Sequence, residues 1–408
     1  MISRKAVFSP WFYFGMLLFF AGFFLAPENG IHKDIYYTVV VLPFILASAM
    51  FRDVFAPLRR QHIAAIVVLI GLALPVLWSP GLNFDSVIRV LRNVFYLSAF
   101  LIVVNYLIAE YPRFLDHAVL LLVVSALCVG VALLGNLVLN APDMAQATLV
   151  PGWRFNNQNR MAKSYGLIVI LCLGWLLVQR SRNYTILAGI TFVVSACVIV
   201  LSRSKGATYA LLLALPVLLI ARHDLKVNLI RFWPGVVVFM ALVIALAIEV
   251  GVISDFMADG WSRRDYIWLS LLESARDAPF FGTGYLLDPK IVGTDGVVYR
   301  HEHNLILSLL RQAGIVGVLL FLTSLGTLGY RAVKTNDARI TLWLVLLIYG
   351  FFASMSGDKY PLIAPVEMWL WFWLPIAVLL ALLSLPKANR QPLLSETKAA
   401  LCPPNQKS

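Results

Sequence analysis

The chain alternates long apolar runs with short polar connections. A membrane-spanning helix needs about 20 apolar residues, and twelve runs approach or meet that length: 10–26, 35–51, 63–79, 86–109, 115–139, 160–179, 184–202, 206–221, 233–253, 312–332, 340–356 and 366–385. The pattern predicts an all-α polytopic membrane protein, a single helical bundle over residues 1–385. The even number of runs puts both termini on one side. The first run follows Ser3-Arg4-Lys5 and has the basic-then-apolar outline of a signal peptide, but it lacks a small-x-small cleavage site and a second run soon follows. It reads as an uncleaved helix. The tail, 386–408, is polar and carries Pro386, Pro392, Pro403 and Pro404, which predicts a disordered cytoplasmic end. One long polar stretch interrupts the pattern, from Ser254 to about Gly317. It places a large loop, 254–311, between the ninth and tenth runs.

Composition supports the membrane reading and excludes several classes. The chain is 60% hydrophobic and 13% charged, with a mean hydropathy of +0.82, where soluble domains are about half apolar and a quarter charged. The net charge of +12 lies in short connections. That favours anionic lipid head groups or an anionic lipid-linked substrate over nucleic acid. Cys128, Cys172 and Cys197 lie in apolar runs and Cys402 in the tail, so neither a disulfide framework nor a thiolate metal site is expected.

Charge placement sets the orientation and exposes an anomaly. Connections on the side of the termini carry Arg52, Arg59, Arg60, Arg113, Arg180, Arg182, Arg222, Lys226, Arg231, Arg331, Lys334 and Arg339. The positive-inside rule puts them in the cytoplasm. Yet the opposite face also holds Lys33, Arg89, Arg92, Arg154, Arg160, Lys163, Arg203, Lys205 and Lys359. Charges near or within spans are costly and point to function. Each taken alone can also snorkel to a lipid phosphate. Arg89 and Arg92 are spaced i, i+3 and share a helix face. The segment PGWRFNNQNRMAK before the sixth run, with Arg154, is a dense hydrogen-bonding surface suited to sugar hydroxyls or phosphate, or a polar loop capped by Asn159. The connection SRSKG places Arg203 and Lys205 at a helix start, where backbone N–H groups already favour an anion.

The large loop carries most of the remaining chemistry. Ile267, Trp268, Leu271, Leu272 and Ala275 recur at helical spacing and predict an amphipathic helix over 263–276. Arg264 and Trp268 are i, i+4 neighbours on it, a spacing at which an indole holds a guanidinium. Pro279 ends the helix, Phe280 to Gly284 form a tight turn, and 288–296 reads as irregular. Arg300-His301-Glu302-His303-Asn304 then leads into the tenth run, which begins near Arg311. The two histidines admit four roles: metal ligands with Glu302, interfacial residues, cations for phosphate, or a neutral general base. Residues at i, i+2 diverge on a helix, which weakens the metal reading.

Taken together, Arg264-x-x-x-Trp268, Pro279-x-x-Gly282-x-Gly284, His303-Asn304-x-x-Leu307 and Gly314-x-x-Gly317, with Arg203 in SRSKG, resemble the O-antigen ligase/polymerase family of bacterial inner-membrane proteins. The resemblance implies a glycosyltransferase with a periplasmic active site. Its donor is a glycan on undecaprenyl pyrophosphate and, for a ligase, its acceptor is the lipid A core oligosaccharide; it uses no nucleotide sugar, metal or other cofactor. By analogy, Arg203 and Arg264 engage the pyrophosphate and His303 activates the acceptor hydroxyl. Arg154, Arg89, Arg92, Arg300, Arg311, Asn304, Trp268, Lys205 and His301 are further candidates for substrate contact. A polymerase, or a protein O-oligosaccharyltransferase, shares the donor chemistry. An organic-anion transporter would also fit the spans and outer arginines, but no internal repeat supports it.

Overall fold

The computed structural model describes residues 5–50, 55–140, 149, 155, 157–178, 181–220, 264–285, 291–293, 296–299, 302–335 and 337–386. Within them the protein is an all-α polytopic membrane bundle. The helices are α1 (Lys5–Leu25), α2 (Asn29–Met50), α3 (Arg60–Trp78), α4 (Phe84–Glu110), α5 (Phe114–Asn140), α6 (Gln158–Val178), α7 (Arg182–Leu201), α8 (Lys205–Ile220), α9 (Arg264–Ala275), α10 (Leu305–Lys334), α11 (Ala338–Ser354) and α12 (Trp369–Ser384). Seven of them, α1 to α5, α7 and α10, are long and apolar enough to cross a membrane. Each predicted run has its helix except the ninth, 233–253, which lies outside the described residues, as do 254–263 and the tail from 387. α9 is the loop helix.

The bundle closes around aromatic side chains because they bury the most apolar surface per residue. Phe19, Tyr36, Phe100 and Trp369, from α1, α2, α4 and α12, are fully buried. The Trp369 ring lies 5.1 Å from Phe100 and 5.2 Å from Tyr36. His32 belongs to this core. Its ring stacks on Phe19 at 4.6 Å, and its Nε2 is 2.9 Å from the Phe19 carbonyl. The described residues contain no group of three or more His, Cys, Asp or Glu placed to hold a metal ion.

Two irregularities shape the functional end. α12 opens with a π turn, Trp369–Trp373, a feature that re-aims side chains; Trp371 thereby comes within 5.4 Å of Lys163 Nζ. The second is a break in α10 at Gly314, with φ 64° and ψ −168°. A broken helix in a bilayer must have its freed backbone groups satisfied by protein. The turn 279–284 does this. Ile315 and Val316 N–H donate to the carbonyls of Pro279 (2.8 Å) and Phe280 (3.1 Å), while Thr283 and Gly284 N–H donate to those of Arg311 (2.8 Å) and Gln312 (3.1 Å). The backbones approach so closely that a Cβ at Gly314 would overlap the Phe280 carbonyl, and one at Gly282 would overlap Gln312. The two glycine motifs are thus halves of one clasp. Gly314→Ala is expected to lower the thermal stability of the purified protein by at least ~2 kcal/mol, from left-handed strain plus the clash. Unfolding in detergent, followed by tryptophan fluorescence, measures it.

α9 departs from the amphipathic expectation. Ile267, Leu271 and Ala275 are buried, but Tyr266, Leu269 and Leu272 are exposed, so apolar side chains occupy both faces. The buried face makes a small core of its own with Ile291, bordered by Trp268, Tyr299 and Leu307. Ile291–Val292 and Val298–Tyr299 form a short antiparallel hairpin where the sequence read as irregular. β-Branched or aromatic residues in both strands, on either side of a Gly-containing stretch, were the signal for it.

Candidate active site

The site is organised by a connection that sequence reading left without a role, 355–368 between α11 and α12. Two acids from this apolar segment point back into the bundle. Asp358 accepts a hydrogen bond from Lys163 Nζ at 3.2 Å, and Glu367 lies 3.5 Å from Arg160 Nη1. The Lys163 and Glu367 side chains are each only 1% exposed. Charges so buried persist because they are paired. The first turn of α6, which reads in isolation as a sugar- or phosphate-binding surface, is therefore largely clamped to this connection.

The SRSKG turn is fixed to the same place. Ser204 Oγ donates to Asn159 Oδ1 at 2.9 Å, and a Cβ at Gly206 would overlap the Ser356 hydroxyl. The turn holds Arg203, half-buried, with φ 51°. Lys205 is half-buried at the first position of α8. The charges of Arg160 and Arg264 both act on Lys163, so Arg264 comes from the loop helix to the same corner. Burial lowers the Arg264 pKa below its ordinary value; a guanidinium nevertheless stays protonated. Among the described residues no carboxylate pairs with it. A desolvated cation so placed is suited to an anionic group of a ligand.

The second half of the site is built around His303, also at φ 51°. Arg203 and His303 are the non-glycine residues with positive φ in the described structure. On either side of His303 the chain is pinned. Asn304 caps α10, its Oδ1 accepting from the N–H groups of Ile306 (3.0 Å) and Leu307 (3.1 Å). Glu302 is 1% exposed; it forms an ion pair with Arg311 and accepts from Gln312 Nε2 at 3.1 Å, and Gln312 is also bonded to Ser308. Tyr285 ties this half to the connection. Its ring is 5.3 Å from Tyr360 and its hydroxyl donates to the Leu362 carbonyl at 3.5 Å. Burial pushes the Tyr285 pKa up to about 12, with Arg89 opposing the rise and Glu302 adding to it, so both charges face this phenol.

Several of the candidates proposed for substrate contact also have partners within the protein. Arg311 is buried against Glu302, three residues before the break in α10. The side-chain oxygen of Asn304 is used by the helix cap. Trp268 packs in the small core under α9. Arg89 and Arg92 have different neighbours despite their spacing: Arg89 faces Tyr285, whereas Arg92 acts on Tyr37. Arg154, Arg300 and His301 lie outside the described residues. Asp358 and Glu367 were missed. The signal existed, since an acid in an apolar connection is as costly as a base there.

Residues 190–322 match the family model described as O-antigen ligase. This segment is thus similar to the O-antigen ligase family. It runs from α7 through the break in α10 and holds Arg203, Arg264, His303 and both halves of the glycine clasp; Lys163, Asp358 and Glu367 lie outside it. The chain is also similar to an O-antigen ligase of Pseudomonas aeruginosa, 30% identical over 124 residues. That match covers 30% of this chain and 31% of the relative, so the chain spans less than a third of the curated ligase it matches.

Proposed function

We propose that the protein is an O-antigen ligase of a Gram-negative inner membrane, with both termini cytoplasmic and the 355–368 connection facing the periplasm. It transfers a glycan from undecaprenyl pyrophosphate to the lipid A core oligosaccharide without a metal. The observation that carries this reading is the backbone of Arg203 and His303. Positive φ is costly for side chains of this kind and persists where the surroundings enforce it, often at functional sites. Here it coincides with two positions singled out from sequence.

In the proposed reaction His303, as neutral imidazole, takes the proton of an acceptor hydroxyl. That oxygen attacks the anomeric carbon, the bond from this carbon to the pyrophosphate oxygen breaks, and undecaprenyl pyrophosphate departs. Arg203 and Arg264 neutralise the charge growing on the leaving oxygen, in partly desolvated surroundings where such stabilisation is strongest. One displacement inverts the anomeric carbon. A retaining route needs a carboxylate nucleophile. Glu302 is occupied by Arg311 and Gln312, and Asp265 and Asp277 are exposed. The arrangement therefore favours inversion.

Polymerases and protein-directed transferases share this donor chemistry and differ in acceptor. A transporter would use the freed backbone of a broken helix to bind its cargo. In α10 the groups freed at Gly314 are bonded to the 279–284 turn, which leaves that reading without support. Reconstitution with a lipid-linked glycan, lipid A core as sole acceptor and EDTA present tests the proposal. Covalent transfer to the core is expected, and its absence with an active donor would overturn it. Arg264→Ala and Arg203→Ala are each expected to weaken polyprenyl-pyrophosphate binding by about 10- to 100-fold, the range for losing a charge-assisted hydrogen bond. Direct binding titrations measure it, and unchanged affinity would remove the arginine from the phosphate site.

A further inference from the structure

A groove of about 300 Å³ opens between α3 and α10 toward the end of the bundle marked by Gln61 and Arg331. The two helices meet where Leu320 leaves no room for a Cβ at Gly71, and the groove lies beyond that contact. Its floor is apolar and buried, with Leu69, Leu72, Leu101, Phe321, Trp373 and Leu380. The polar side chains in its walls are already satisfied. Thr323, Ser324 and Thr327 donate to carbonyls one turn back in α10. The Gln61 amide donates to the Leu380 carbonyl at 2.6 Å and to the Ser384 hydroxyl. The walls thus offer little to a polar ligand and suit a hydrocarbon chain. One lining side chain is charged: Arg331, exposed in the last turn of α10, with no carboxylate partner among the described residues.

A dry channel with a cation at its open end fits an amphiphile with an apolar tail and an anionic head. We propose that the groove binds one acyl chain of an anionic glycerophospholipid, whose phosphate pairs with Arg331. The glycan donor has a related chemistry, but the cations proposed for its pyrophosphate lie at the other end of the bundle. From the break at Gly314, Arg331 lies about 25 Å further along α10 at helical rise. A donor held by its phosphate at Arg331 would present its sugar to the wrong face. The lipid site is therefore separate from the transfer site and stands whichever acceptor the protein uses.

Native mass spectrometry of the full-length protein, with titration of phosphatidylglycerol, phosphatidylcholine and undecaprenyl phosphate, tests this. One retained phosphatidylglycerol per chain is expected, bound about fivefold more tightly than phosphatidylcholine, the preference that one basic residue near an anionic lipid supplies. Ala65→Trp, which fills the groove, is expected to abolish retention. Arg331→Gln, at an exposed position that leaves the fold intact, is expected to erase the preference while a chain still binds. Equal retention in wild type and Ala65→Trp, an unchanged preference in Arg331→Gln, or displacement of phosphatidylglycerol by equimolar undecaprenyl phosphate would each overturn the proposal.

Discussion

Replacing His303 by alanine is expected to lower glycan transfer by about 100- to 10,000-fold, the usual contribution of a positioned general base, while polyprenyl-pyrophosphate binding is retained. The two readouts must be taken together because His303 has a second property. Its φ of 51° means that any substitution also alters the strain of the backbone between Glu302 and Asn304. His303→Gly separates the effects, since glycine adopts this conformation freely. If the imidazole is the base, the glycine and alanine variants lose transfer alike. If the residue serves only as a turn, the glycine variant transfers glycan at the wild-type rate and His303 drops out of the mechanism. Donor affinity serves as the control for folding in both variants. Single-turnover assays with preloaded donor keep the chemical step apart from product release.

The bundle was legible in the sequence because a bilayer imposes a length and a composition on each span, and both are local properties. The candidate residues in the large loop were legible because polar chemistry stands out against apolar runs. What was hidden depends on pairing across the chain. Lys163 and Asp358 are 195 positions apart, and Arg160 and Glu367 are 207 apart; no periodicity links them. Read singly, the outer basic residues suggest one large anion-binding surface. In the fold Arg160, Lys163 and Arg311 are each paired with an acid, whereas Arg203 and His303 sit at positive φ. The same locality explains the glycine motifs. Gly282 and Gly314 each look like a flexible point in sequence, yet each is a place where one backbone presses on the other. The hairpin at 291–299 escaped notice for a different reason: its strands have only two residues each, too few for a period to show.

Arg311→Met is expected to destabilise the protein by about 3–5 kcal/mol, the cost of leaving one member of a buried ion pair without its counter-charge. Glu302, only 1% exposed, would then keep its hydrogen bond from Gln312 at 3.1 Å but have no cation beside it. Glu302→Gln should cost a similar amount by stranding Arg311. The double variant, Glu302→Gln with Arg311→Met, has no uncompensated charge. It is expected to recover most of the stability, because neutral replacements of a buried pair are often near neutral overall. Transfer is not expected to return with it. Glu302 immediately precedes His303, and the Arg311 carbonyl accepts from Thr283 N–H in the 279–284 clasp, so the geometry of the pair is expected to set where the imidazole points. Thermal unfolding and transfer activity, measured on all three variants, give a thermodynamic cycle whose coupling term isolates the pair. A double variant with stable fold and normal transfer would reduce the ion pair to a dispensable contact and leave His303 positioned by its own backbone and the Asn304 cap alone. A stable double variant with lost transfer would make Glu302 and Arg311 positioning residues for the base.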